Sequence, residues 1–189
     1  MSFRSAGDAR GAASSSHAEA EPEQGAPCPS ERLIDPELRL QHALDVAYRY
    51  VSRRERTVRG VRQHLELKRV EPATIDAALE ELERSGYLDD AGYAKRFAED
   101  RRNLDAWGAE RIERKLQALG IAAEHMRAAL AEQDAEGEQD AALAALCRRY
   151  PSPLEGPQER ERALGYLVRK GYGLDLAYVA IRAHGTDRR

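Results

Sequence analysis

Residues 61–79 read VRQHLELKRVEPATIDAAL, and residues 112–130 read IERKLQALGIAAEHMRAAL. Aligned without a gap, the two stretches place an apolar residue at the same five positions, 51 residues apart. These pairs are Val61 and Ile112, Leu65 and Leu116, Val70 and Ile121, Ile75 and Met126, and Leu79 and Leu130. Within each stretch the apolar residues recur at helical spacing, and a constant offset across two helices indicates an internal repeat.

A third copy follows at the same offset. It leads from Leu116 to Leu167, from Gly120 to Gly171 and from Leu130 to Ile181. The first copy departs from this pattern at Arg69, which stands where the later copies have glycine. The chain is therefore predicted to contain three copies of a helical pair.

A further amphipathic helix precedes each pair. Apolar residues at helical spacing run through residues 40–51, 93–98 and 143–150. The proline-rich segment 151–157 ends the third of these helices, because proline lacks the amide proton that a helix needs. We therefore expect an all-α fold of three tandem three-helix repeats, at residues 37–88, 89–135 and 136–186. Since such small units bury little surface alone, they should share core and form an elongated, curved array.

Residues 1–36 differ in composition from the rest of the chain. Ala, Ser, Gly, Glu and Pro predominate there, so this segment cannot bury enough surface to offset the entropy of ordering. We predict a disordered N-terminal tail. The net charge is −3, but the tail holds the acidic excess, and the rest of the chain has equal numbers of basic and acidic residues. This balance excludes a histone-like polyanion binder and leaves room for local charged faces.

The chain lacks the residue patterns of common catalytic and metal sites. It contains no Gly-rich phosphate loop with its Lys, no HExxH, no GxSxG and no Cys or His spacing for zinc. The two cysteines, Cys28 and Cys147, are far apart in sequence. Asp89 and Asp90 are adjacent carboxylates that could form a metal or acid–base pair, but their position before a predicted helix favours an N-cap. We therefore expect no enzymatic activity, no metal and no cofactor.

We expect the histidines to be solvated and, from the hydropathy pattern, the protein to be soluble. His42, His64, His125 and His184 fall singly among charged helix residues and are expected to be solvated. No apolar run reaches the ~20 residues that a membrane span requires, and the N-terminus lacks the basic-then-apolar order of a secretory signal. The expectation is a cytoplasmic monomer without membrane contact.

Basic residues concentrate in three places along the chain. The first series comprises Arg49, Arg53, Arg54, Arg56, Arg59 and Arg62, and the second set comprises Arg101, Arg102, Arg111, Arg114 and Lys115. A third pair, Arg169 and Lys170, lies at a predicted helix end. A solvated surface with i,i+4 charge pairs is one explanation. Contact with DNA phosphates or acidic protein loops is the other, because arginine binds both bidentately, and we expect it for the first series above all. Trp107, inside the second set, is expected to pack against its own repeat.

Three segments carry a resemblance to a known family. Gly86-Tyr87-Leu88-Asp89-Asp90, followed by Tyr93, Ala94, Phe97 and Arg101, resembles the most recognisable stretch of RecX proteins. The Trp107-Gly108 step with Arg111-Ile112 and Lys115-Leu116 resembles the family's aromatic-Gly turn, although Glu110 stands where the family has a basic residue. The closing segment Leu167-Val168-Arg169-Lys170-Gly171-Tyr172 resembles the family's Leu-x-Arg-Arg-Gly-aromatic signature. The resemblance covers about residues 38–183.

The resemblance implies a regulator of the RecA recombinase in DNA recombination, DNA repair and the SOS response. Such a protein would bind the RecA filament on single-stranded DNA and inhibit its ATPase, strand exchange and coprotease activities. Two alternatives stay open: a sequence-independent DNA-binding helical protein whose units act like helix-turn-helix modules, and an adaptor that binds proteins only. The balanced charge argues against DNA as the sole ligand. Salt dependence separates these alternatives, since binding to DNA weakens steeply with salt.

Overall fold

The structure, a computed structural model, describes residues 35–186. This part of the chain contains nine α-helices and no β-strand, which confirms the predicted all-α fold. Of the predicted tail, residues 1–34 lie outside the described residues, whereas Asp35 and Pro36 already form the N-cap and the first residue of a helix. The helices are α1 (Pro36–Val51), α2 (Val58–Leu67), α3 (Pro72–Arg84), α4 (Asp90–Asp105), α5 (Ala109–Ala118), α6 (Ala123–Leu130), α7 (Ala135–Arg149), α8 (Pro157–Lys170) and α9 (Leu174–Thr186).

The nine described helices form three triplets in chain order. We call α1–α3 module 1, α4–α6 module 2 and α7–α9 module 3. Helix packing is most extensive between the outer helices of each triplet, α1 with α3, α4 with α6 and α7 with α9. The repeated apolar positions build the cores: Val61 and Leu65 in module 1, Ile112 and Leu116 in module 2, and Leu167 in module 3 are fully buried. The repeat in the sequence is therefore the repeat of the fold.

Asp89 and Asp90 lie at the start of α4, and each accepts a hydrogen bond from a backbone amide. The Asp89 carboxylate accepts a hydrogen bond from the Gly92 N–H at 2.8 Å and caps the helix. The Asp90 carboxylate accepts one from the Val58 N–H of module 1 at 3.0 Å. The N-cap interpretation is therefore confirmed for Asp89, and Asp90 connects two modules.

The middle helices α2, α5 and α8 meet end to end at two joints. Between modules 1 and 2, the Thr57 hydroxyl at the N-cap of α2 donates a hydrogen bond to the Leu119 carbonyl that follows α5, at 3.1 Å. Between modules 2 and 3, the Gly108 N–H at the N-cap of α5 donates to the Lys170 carbonyl at the end of α8, at 2.9 Å. Thr57 and Gly108 are 51 residues apart, and so are Leu119 and Lys170, so the joints repeat with the sequence.

Glycine makes this close approach of helix ends possible. Gly120 and Gly171 follow α5 and α8 with φ of +82° and +93°, which L side chains rarely adopt. A Cβ atom on Gly120 would lie 2.2 Å from Cδ of Arg59, and one on Gly171 would lie 2.5 Å from the backbone N of Arg111. Arg69 takes the same turn after α2 with φ of 59°, but it is exposed and borders a pocket lined by module 1 alone. An arginine fits there because no other helix end has to approach it.

The two joints differ in what they bury. At the joint of modules 2 and 3, Tyr172 is buried and its hydroxyl donates to the Ala106 carbonyl at 3.3 Å. Ala106 follows α4 of module 2 yet packs into the core of module 3. At the joint of modules 1 and 2, contacts such as the half-exposed ion pair of Glu55 with Arg96, 3.0 Å long, are polar. The expectation of a shared core therefore holds for modules 2 and 3.

We expect Asp90→Asn to change how stability depends on pH. Burial raises the pKa of Asp90 above its usual 3.8, against the hydrogen bond from Val58, which lowers it. A carboxyl group whose pKa is raised by folding stabilises the protein below its unfolded pKa, and this contribution is lost as pH rises through the folded pKa. Asparagine can accept the same N–H without carrying a charge, so the variant should gain stability relative to the parent as pH rises above about 4. Urea unfolding of both proteins at about pH 4 and pH 7 measures this change, and an equal difference at both values would contradict it.

Candidate functional site

Three arginines of the first series are exposed and, within the described residues, carry an unpaired charge. Arg49 lies in the last turn of α1, and Arg53 and Arg54 lie in the turn that follows. All three are exposed, and in the part of the chain that the structure describes their guanidinium groups have no carboxylate partner. Their charge is therefore available to a binding partner.

The other three arginines of the first series make contacts inside the protein. The guanidinium carbon of Arg56 lies 3.9 Å from the centre of the Tyr50 ring. Arg62 forms an ion pair with Asp76 at 2.6 Å, and Arg59 packs at the joint of modules 1 and 2. Within residues 35–186, the first series thus divides into three arginines without a carboxylate partner and three that contact other residues of the chain.

Arg49 and Arg53 face a pocket between α1 and α2. Its other lining residues are His42, Val46, Tyr50, His64 and Lys68. The basic sets defined from the sequence do not include Lys68. The sequence did contain a signal for this cluster. Arg49 and Arg53 are four residues apart, and so are His64 and Lys68, a spacing that places two side chains on one face of a helix. The spacing could not show that these two faces meet.

Arg101 and Arg102 of the second set turn inward. Arg101 forms an ion pair with Asp105 on the same helix. Arg102 donates hydrogen bonds to the carbonyls of Ala129 at 3.3 Å and Leu130 at 3.1 Å, where α6 ends. Burial lowers the pKa of Arg102. Both side chains therefore stabilise module 2.

Basic residues from both sides of the joint between modules 2 and 3 line a second pocket. Its lining consists of Trp107, Arg111, Arg114, Lys115 and Arg169, with no carboxylate among them. Arg111 lies 4.1 Å from the centre of the Trp107 ring and donates to the Arg169 carbonyl at 3.0 Å, so it holds the two walls together. Arg114, Lys115 and Arg169 are exposed. This cationic pocket, which we call the joint pocket, brings together parts of the second and third basic sets.

Trp107 and Lys170 have structural positions beside the joint pocket. Trp107 packs against the core of module 2 and meets Phe97 edge to face at 6.3 Å, which confirms the expectation that it packs against its own repeat. The Lys170 ammonium donates to the Asp105 carbonyl at 2.6 Å and so ties α8 to α4. Of the third basic pair, Arg169 is therefore the member that faces solvent.

His184 differs from the expectation of a solvated histidine. It is buried, and its Nε2 lies 2.9 Å from the Tyr150 carbonyl, which follows α7. The side chain therefore packs inside module 3 and binds the end of a helix, a contact that could not be seen from its neighbours in the sequence.

Among the described residues, no group of three or more His, Cys, Asp or Glu could hold a metal ion. No helix within residues 35–186 is long and apolar enough to cross a membrane.

Family models match two of the three modules. The model for the first three-helix domain of RecX matches residues 43–82, and the model for its second three-helix domain matches residues 89–130. The curated regulatory protein RecX of Trichlorobacter lovleyi is 32% identical over 135 residues, covering 69% of this chain and 87% of the relative. The RecX of Amycolatopsis mediterranei is 28% identical over 151 residues, covering 79% of this chain and 86% of the relative.

Solved structures share the fold. A crystal structure of RecX from Lactobacillus salivarius superposes with a TM-score of 0.71 at 18% identity, covering 79% of this chain and 99% of that one. A second crystal structure of a regulatory protein RecX gives a TM-score of 0.67 at 21% identity, covering 78% of this chain and 73% of that one.

Proposed function

Because this chain belongs to the RecX family of regulatory proteins, we propose that it binds a RecA filament on single-stranded DNA and inhibits its ATPase, strand exchange and coprotease activities. The regulator acts by binding and carries no catalytic residue of its own. Its three repeats, at residues 37–88, 89–135 and 136–186, follow the filament in series. The proposed setting is the cytoplasm, where the protein acts as a monomer.

The observation that supports this proposal most is the joint pocket. Three exposed cations, Arg114, Lys115 and Arg169, lie around it, and no carboxylate lines it. Backbone contacts between modules 2 and 3 hold its walls together, so the three side chains project from fixed backbone positions. Cations that converge from fixed backbone positions favour phosphates and acidic side chains, because the backbone need not be reordered on binding.

Arg49, Arg53 and Arg54 provide a second contact area on module 1. Two areas on separate modules of one chain bind a repetitive partner more tightly than either alone, because the second contact is intramolecular once the first has formed. A filament offers identical subunits and regularly spaced phosphates. A chain built from repeats can contact a ligand of that kind at several places.

The purified protein should lower the DNA-dependent ATPase of its cognate recombinase when present at fewer molecules than recombinase subunits. One bound molecule that bridges or caps a filament affects many subunits, so the rate should fall faster than the fraction of subunits occupied. The test measures ATP hydrolysis at increasing protein concentration, with binding followed by sedimentation of the filament. Unchanged hydrolysis with protein demonstrably bound would contradict inhibition. Binding to bare DNA as tight as binding to filaments would favour the sequence-independent DNA binder.

A further inference from the structure

The pocket between α1 and α2 of module 1 is rich in imidazole and cationic side chains. It has a volume of about 470 Å³ and is lined by His42, Val46, Arg49, Tyr50, Arg53, His64 and Lys68. Three permanent cations and two imidazoles share this space, and no carboxylate is among its lining residues. We call it the α1–α2 pocket.

Within residues 35–186, no carboxylate forms an ion pair with the cations of this pocket. Arg49, Arg53 and Lys68 are exposed and have no ion-pair partner among the described residues. Two carboxylates close in sequence pair elsewhere, Glu71 with Arg39 of α1 at 2.7 Å and Glu55 with Arg96 of module 2 at 3.0 Å. Like charges held together repel, and an anion that enters between them relieves this repulsion.

Tyr50 fixes the geometry of the pocket and limits the kind of ligand. The His64 ring stacks on Tyr50 with its centre at 4.0 Å and the planes 3° apart. Arg56 lies 3.9 Å from the centre of the same ring, and since two groups this close cannot share one side, they occupy opposite faces. No face of Tyr50 is left for a nucleobase. The free binding groups are therefore the cations and the imidazole edges, which recognise an anion.

We propose that the α1–α2 pocket binds a phosphate group, supplied by the backbone of single-stranded DNA or by a free nucleotide. Guanidinium groups of Arg49 and Arg53 provide paired donors that match phosphate oxygens, and Lys68 provides a point charge from the facing helix. The proposal rests on the proposed function where the source is filament DNA. Its test uses no recombinase, so either proposal can fail while the other holds.

Binding of phosphate should be coupled to a proton at His64. Partial burial and the charges of Lys68, Arg56 and Arg53 lower the pKa of His64, so the free pocket holds it neutral near pH 7. An anion among these cations raises that pKa again, and a protonated imidazole donates from both ring nitrogens. The other groups that face His64 across the pocket are His42, Arg49 and Tyr50 of α1, while α3 lines no part of it. Binding of phosphodiesters, which do not titrate in this range, should therefore strengthen as pH falls below about 6.5, with proton uptake.

The test is calorimetric titration of the full chain with three probes: a short oligothymidylate, thymidine 5′-monophosphate and inorganic phosphate. Arg53→Ala with Lys68→Ala should weaken binding by about tenfold for each cation removed. Arg84→Ala with Arg127→Ala removes the same charge from exposed positions outside the pocket and should leave affinity unchanged. Weaker binding of the oligonucleotide alone identifies the DNA backbone as the source, whereas weaker binding of all probes identifies any phosphate. Equal affinity of the Arg53 and Lys68 variant and the parent for every probe overturns the proposal.

A second variant tests the role of His64 separately. His64→Phe keeps the stacking on Tyr50 and removes the titrating group. Binding of the oligonucleotide should be unaffected at about pH 8, whereas the gain in affinity at about pH 6 and the proton uptake, measured in two buffers of different ionisation enthalpy, should become smaller. His42 remains in the pocket of this variant. Unfolding in urea shows whether each variant is folded. A pH dependence identical to that of the parent overturns the assignment of the proton to His64.

Discussion

Gly171→Ala is expected to lower the free energy of unfolding by about 3 kcal/mol or more, as two costs add. The first cost is conformational, because alanine would have to adopt φ of +93°. The second is steric, because its Cβ would lie 2.5 Å from the backbone N of Arg111, which cannot rotate away as a side chain can. The joint between modules 2 and 3 would have to open, which would break the hydrogen bond from Gly108 to Lys170.

Gly86→Ala is the matched control for this prediction. Gly86 also has a positive φ, +73°, but no atom lies within 4 Å of the place that its Cβ would take. This substitution should therefore cost only the conformational part, about 1 kcal/mol. Urea unfolding of both variants separates the two costs. Equal destabilisation of the two proteins would show that an added Cβ at residue 171 has no steric cost at the joint.

Removing the three exposed cations of the joint pocket should weaken filament binding by about 100-fold or more at moderate salt. The variant carries Arg114→Ala, Lys115→Ala and Arg169→Ala. Because these side chains are exposed and the described chain gives them no ion pair, folding should survive their removal. Arg111 is kept, since its contacts with Trp107 and the Arg169 carbonyl support the joint. Filament binding measured across a range of salt concentrations checks the prediction.

The slope of affinity against salt distinguishes two kinds of partner at the joint pocket. If the cations bind phosphates of a single strand, the slope should fall by roughly 0.7 for each phosphate that the variant no longer neutralises. If they bind acidic recombinase loops, affinity for filaments falls while binding to bare DNA stays as it was. A control with Arg84→Ala, Lys95→Ala and Arg127→Ala removes the same charge elsewhere. If the variant binds filaments as tightly as the parent, the joint pocket is a solvated surface and not a contact with the filament.

The regular part of this fold is predictable from the sequence because it depends on local patterns. Apolar positions at helical spacing identify buried faces, as at Val61 and Ile112. A side chain that accepts an amide two or three residues ahead acts within its own turn, so the Asp89 cap could be predicted from its position. The 51-residue offset then gives the number of copies.

The candidate site is less predictable, because the fate of each arginine is decided by residues distant in sequence. Arg102 binds carbonyls at the end of α6, and Lys170 binds the Asp105 carbonyl across a joint. Nothing near Arg102 in the sequence distinguishes it from exposed Arg114. The prediction of a solvated His184 is wrong for the same reason, since the carbonyl of Tyr150 that it binds lies 34 residues away. Helical spacing places a charge on a face, and tertiary packing decides what covers that face.

Arg69 has a consequence for self-assembly. Each joint places the N-terminus of one middle helix against a glycine turn, a head-to-tail contact that could in principle continue from molecule to molecule. The outermost turn of this row carries an arginine instead, so a long charged side chain occupies the place where another helix would dock. We expect this side chain to disfavour growth of the row of three into a fibre at that end. We therefore expect copies of a protein built from stacking units to remain separate at this turn, which leaves its cationic pockets accessible to the partner proposed above.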